Sequence, residues 1–149
     1  MGPVTQGDQQ HACLDSVELV RFKKELKSLP QVLRKKEHLL SIMTGFVDKK
    51  RWMVCCTQNR IIFLFTLMFA EPEVVEIPLD KIVSVEKRIG LLFGEVTIID
   101  DDTKKTVIKN VTKKKTKLFV DNVNEAVSRR KAAMAAKAAK AALQSPTEK

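Results

Sequence analysis

Trp52-Met53-Val54-Cys55-Cys56-Thr57-Gln58-Asn59-Arg60-Ile61-Ile62-Phe63-Leu64-Phe65-Thr66 decides the fold. It holds two runs rich in β-branched, aromatic and thiol side chains, separated by the short polar pair Gln58-Asn59. Such runs favour pleated backbone, and a short polar connection returns the second antiparallel to the first. Asn59 tolerates the left-handed backbone that tight hairpins need, which makes the pair the expected turn.

Upstream, Asp48-Lys49-Lys50-Arg51 is a polar turn, and from His38 the pattern has period two. Leu40, Ile42, Thr44 and Phe46 share one side and Leu39, Ser41 and Met43 the other, so a third strand completes a meander. Earlier still, Asp15 and Glu18 have the spacing of an N-cap and its N3 partner, and Leu14 and Leu19 that of a hydrophobic staple. They predict a helix over 15–29 with Leu19, Phe22, Leu26 and Leu29 inward, stopped by Pro30. Residues 1–14, with Gly2, Pro3, Gly7 and several Gln, lack periodicity and are expected to be a flexible leader.

Downstream, Val74–Ile77, Ile82–Arg88, Val96–Ile99 and Lys105–Lys109 are further strands. Gly90 and Gly94 bracket a sharp reversal as turn glycines, and Asp100-Asp101-Asp102 is a second tight turn. Strands within 38–110 total seven, the count of a small barrel or sandwich. From residue 113 the period becomes 3.6, with Phe119, Val123, Ala126 and Val127 on one face, predicting a helix that closes the sheets. Charge enters that stripe at Arg130, so the domain is read as 15–131. Residues 132–149 form a basic tail rich in Ala and Lys, helical or disordered.

Composition bounds the function. The chain has 149 residues, 44% of them hydrophobic and 30% charged, enough for one domain with its own core. The longest apolar run, Ile61–Ala70, is too short to span a bilayer, and Met1–His11 does not read as a secretory signal. Cys13, Cys55 and Cys56 have no paired spacing, and with His11 and His38 they make no zinc constellation. A reducing, cytoplasmic setting is therefore expected. Net charge is +9, yet residues 1–102 hold 14 basic and 15 acidic side chains while 103–149 hold 13 and 3. The excess belongs wholly to the last third.

The order of seven strands and one closing helix resembles the pleckstrin-homology (PH) fold. Three stretches carry a closer resemblance, to the bacterial YokE-like branch: Cys56-Thr57-Gln58-Asn59-Arg60-Ile61-Ile62-Phe63-Leu64, Glu76-Ile77-Pro78-Leu79-Asp80-Lys81-Ile82, and Gly90-Leu91-Leu92-Phe93-Gly94-Glu95-Val96-Thr97-Ile98. Leu29-Pro30 before them and Asn110-Val111 after them fit the same pattern, over about residues 15–130. Where that branch has a Gly-containing connection between its third and fourth strands, this chain has Thr66–Glu73 with Leu67, Met68, Phe69 and Pro72. The resemblance implies a fold and a binding style, and no catalytic residue, substrate or ligand.

Nothing in the sequence supplies catalysis. The glycines have no phosphate-loop context, Asp100–Asp102 reads as a solvated turn rather than a metal site, and no cysteine has a base at hand. No cofactor or small-molecule substrate is indicated. The reading is a non-catalytic module that binds a protein partner or assembles with itself through a sheet edge, the apolar loop Leu67, Met68, Phe69, or the C-terminal helix. Two alternatives stay open. One is anionic membrane lipid or another anion held by Lys49, Lys50 and Arg51, since lipid-binding relatives use basic residues at their first hairpin, with help from the basic tail. The other is nonspecific nucleic-acid or acidic-surface binding by Lys113, Lys114, Lys115, Lys117, Arg129, Arg130, Lys131, Lys137 and Lys140, which lack aromatic partners for base stacking.

Overall fold

The computed structural model describes residues 14, 16–67 and 69–144. Its strands are β1 Leu39–Val47, β2 Lys50–Thr57, β3 Arg60–Phe65, β4 Glu73–Pro78, β5 Ile82–Ile89, β6 Gly94–Asp100 and β7 Lys105–Val111. All pairs are antiparallel, in the order β4-β3-β2-β1-β7-β6-β5. Two meanders are thus stitched together where β1 meets β7, Phe46 opposite Lys109. β4 and β5 remain as the sheet's edges, linked by a single 3-10 turn, Leu79–Lys81. Two short helices, α1 Ser16–Arg21 and α2 Lys23–Val32, precede the sheet, and α3 Lys113–Gln144 follows it. This is the mainly β, PH-like architecture with a closing helix that the sequence predicts.

The chain builds two apolar cores, one on each face of β1, β2 and β3. The inner one gathers Met43, Val54, Cys56, Ile61 and Phe63 with Val96, Ile98 and Ile108, and α3 seals it with Phe119, Val120, Val123 and Ala126. The outer one gathers Ile42, Met53, Cys55, Ile62 and Leu64 under Leu14, Phe22 and Leu29. Successive side chains of a strand point to opposite faces, so Cys55 and Cys56 fall into different cores. This double cover explains why β2 and β3 read as continuous apolar runs rather than as alternating ones.

Several local expectations are corrected. The helix read over 15–29 is two helices broken at Phe22, where φ is −106° and ψ 27°. The inward side of α1 carries Glu18, whose carbonyl accepts from the Phe22 N–H at the break, so Leu19 falls off that side and is exposed. Asp15, the expected cap, lies outside the described residues. Pro30 does not stop the helix: it sits inside α2, and Leu33 N–H closes the last turn on Leu29 O at 3.0 Å.

At the β2–β3 turn, Thr57 Oγ1 accepts from the N–H groups of Asn59 and Arg60, both at 3.1 Å, and no positive φ is needed at Asn59. The left-handed pair lies instead in the β1–β2 turn, at Asp48 (φ 48°) and Lys49 (φ 71°). Gly94 is not a turn glycine either. A Cβ there would overlap the Thr116 side chain, so glycine lets the β5–β6 hairpin lie directly against the start of α3.

Helix α3 is continuous to Gln144, and its buried face ends with Ala126 and the half-buried Val127 and Arg130. From Lys131 to Leu143 every residue is exposed. Residues 145–149, like 1–13, lie outside the described ones.

Candidate binding cleft

Between the β1–β2 turn, β4 and the β6–β7 hairpin the two meanders part and leave a cleft of about 790 Å³. Its floor is apolar: Phe46, Trp52, Phe63, Val75, Ile77 and Val107 contribute to the lining. Trp52 organises the aromatic part, its ring edge-on to Phe63 at 6.3 Å and tilted against Phe65 at 5.6 Å. The Trp52 residue is 8% exposed, and among the described residues its indole Nε1–H meets no acceptor. A buried donor left unpaired is a destabilising feature, and this one is closed to solvent, so it is a cost within the core and not a group offered to the cleft.

The rim is charged but balanced. Lys49, Lys81, Lys104, Lys105 and Lys109 stand against Asp48, Glu76, Asp100, Asp101 and Asp102. The three adjacent aspartates have oxygens within 4.8 Å of one another. Asp100 is engaged in its own turn, with Oδ1 accepting from Asp102 N–H at 3.0 Å and Lys104 N–H at 2.9 Å. That turn fixes the β6–β7 side of the cleft.

The first-hairpin cations part company. Lys49 lines the cleft. Lys50 Nζ lies 3.0 Å from Glu73 Oε2 and 5.1 Å from the Phe65 ring centroid, clasping β2 to β4. Arg51 lies over the Phe46 ring at 5.2 Å and donates to Thr44 Oγ1 at 3.2 Å, while Thr44 donates to the buried Glu18 at 2.6 Å. Arg51 therefore serves a polar link running back to α1.

The basic residues of the last helix are spread along it, from Lys113 to Lys140 over roughly 40 Å. Lys113, Lys114 and Lys117 are exposed. Lys115 Nζ donates to Ile42 O at 3.2 Å, and Lys131 Nζ to Ile82 O at 2.7 Å. Arg129 reaches Glu125 at 3.6 Å, Arg130 is half-buried, and Lys137 and Lys140 are exposed. In the apolar loop, Leu67 is exposed and Phe69 is 99% exposed with φ 60°, so neither folds over the cleft. Met68 lies outside the described residues.

One polar centre escapes the sequence reading. Arg60, at the head of an apolar strand, holds Glu37 with two hydrogen bonds, Glu76 with one at 2.7 Å, and Val32 O with another at 2.9 Å. Burial pushes the Glu37 carboxyl up, but the Arg60 guanidinium, the Arg34 N–H and the Thr57 hydroxyl outweigh it and hold the group at about 2. The signal available was a charge beside Ile61-Ile62-Phe63, where only a paired arginine is tolerated. The cysteines do the reverse: burial pushes both thiols up, Cys56 to about 12, which leaves them poor nucleophiles.

The family model described as Bacterial PH domain matches residues 33–125. A crystal structure of the C-terminal domain of an unknown protein from Leishmania infantum is similar in fold, with a TM-score of 0.51 at 16% identity. The likeness covers 75% of this chain and 99% of that one. A search of the curated proteins finds no match. Because the family model takes in more than half of the sequence, covering all seven strands and the start of the closing helix, the chain belongs to the bacterial PH domain family, whose PH-like domains are usually binding modules.

Proposed function

We propose that the domain is a non-catalytic module that holds an extended segment of a protein partner, or of a second copy of itself, in the cleft beside the free edge of β4. One observation carries the reading: the apolar cleft floor of Phe46, Trp52, Phe63, Val75, Ile77 and Val107 lies beside the β4 edge, so a strand added to that edge would seat side chains in it. The neighbouring strand supports it, since Val74 and Val75 are exposed along the β4 edge and an added strand would cover them. The even balance of lysines and carboxylates on the rim favours a peptide over an anionic headgroup, which a net positive site would select.

The three motif stretches support a place in the YokE-like branch. Two buried thiols of low reactivity accord with a cytoplasmic setting, and among the described residues no helix is long and apolar enough to cross a membrane.

Selection of displayed short random peptides on the immobilised chain tests the reading. The native protein is expected to enrich one motif of alternating apolar and charged residues, and Val75→Asp, which puts a charge on the cleft floor, to bind it at least about tenfold more weakly. Failure to enrich any motif, or equal binding by a folded Val75→Asp variant, overturns it.

A further inference from the structure

The β5–β6 hairpin reverses at Gly90-Leu91-Leu92-Phe93, where Gly90 N–H donates to Phe93 O at 2.8 Å. Leu91 and Leu92 occupy the two central positions and are 87% and 73% exposed, with Ile89 and Phe93 exposed beside them. Such positions usually go to Gly, Asn, Asp, Ser or Pro, each for a backbone reason. Two leucines contribute nothing to the turn and leave a contiguous apolar tip in water, which points to what they touch.

The charge around the tip is one-sided. Lys87 and Arg88 are exposed on β5, and the hairpin lies against Thr116 through Gly94, beside the exposed Lys113, Lys114 and Lys117. Only Glu86 and Glu95 oppose these five cations on the hairpin and the first turns of α3. None of the tip residues lines the cleft. An apolar point with a collar of cations matches the interface of an anionic bilayer, where acyl chains lie beneath a layer of phosphates.

We propose that the β5–β6 hairpin is a membrane-contact finger, inserting Leu91, Leu92 and Phe93 into the surface of an anionic bilayer while the surrounding lysines meet the lipid phosphates. This site is separate from the cleft. β6 runs from Gly94 at the finger to Asp100 at the cleft, about 20 Å, so a membrane-bound domain keeps the cleft free for its partner.

Co-sedimentation of the full chain with phosphatidylcholine vesicles, with and without phosphatidylserine, tests the proposal. The native chain is expected to favour the phosphatidylserine vesicles by at least about tenfold, with the preference falling as salt is raised. Leu91→Ser with Leu92→Ser should lower that binding about tenfold or more at an unchanged melting temperature, because both side chains are already in water. Lys113→Gln, Lys114→Gln and Lys117→Gln together should lower it about a hundredfold, and Lys137→Gln with Lys140→Gln should leave it unchanged. Equal sedimentation of the native and double-serine chains overturns the proposal, as does a loss confined to the Lys137 and Lys140 variant. Self-association without vesicles that the double-serine change abolishes, together with no vesicle binding, overturns it in favour of a second copy.

Discussion

Arg60 grips Glu37 with both arms of its guanidinium, Nε to Oε2 at 3.0 Å and a terminal nitrogen to Oε1 at 2.9 Å, and both side chains are almost wholly buried. The pair joins the loop after α2 to the head of β3, and through Glu76 to β4. Replacing a buried partner leaves the other charge uncompensated. Glu37→Gln is therefore expected to cost about 3–5 kcal/mol in a urea titration. A cost below about 1 kcal/mol would show that the pair does not hold the outer core against the sheet.

The same pair fixes the acid response. Glu37 is held at about 2 in the folded chain against an ordinary 4.5, so between those values the unfolded chain binds the extra proton. Its contribution is complete above about pH 4.5 and fades as pH falls towards 2. Melting curves taken across that window should show the native protein losing stability more steeply than Glu37→Gln. Parallel slopes would assign the acid sensitivity to other carboxylates.

Lys49 carries backbone strain at the edge of the cleft. Its φ of 71° is left-handed, where a Cβ is unfavourable and glycine is not. Lys49→Gly is expected to stabilise the fold by about 0.5–1 kcal/mol and to weaken any peptide selected by the cleft. Gain of stability with unaltered peptide affinity would mean that the lysine has no part in binding.

Much of the fold was legible because strands leave a period-two or continuously apolar trace and α3 a 3.6-residue one. Seven strands and the buried face from Phe119 to Ala126 follow from those traces. What periodicity does not encode is partnership over distance. Glu18 and Glu25 have the look of helix-surface residues, yet one accepts from Thr44 and the other from the Thr66 N–H, 26 and 41 residues away. Trp52 announces a core aromatic, and only the packing of Phe63, Phe65 and β4 around it shows an indole N–H without an acceptor. Leu91-Leu92-Phe93 between two glycines gives the reversal but not its exposure, because an apolar run in sequence looks the same in a core and at a tip. Lys49, Lys50 and Arg51 are contiguous in the chain and divided in space, since neighbours on a strand face opposite ways.

The far end of α3 separates a stabilising surface from a merely helical one. Phe119 and Val123 are fully buried in the inner core, whereas 131–143 is exposed throughout and tied to the body by the Lys131 bond to Ile82 O. Alanine and lysine keep such a segment helical by intrinsic propensity without tertiary help. Deleting residues 132–149 should therefore change the unfolding free energy by less than about 0.5 kcal/mol, while Phe119→Ala should cost about 3–5 kcal/mol. If the deletion cost as much as the Phe119 change, the extension would have to pack on the domain, and its exposed lysines could no longer be counted as a surface free to meet anything else.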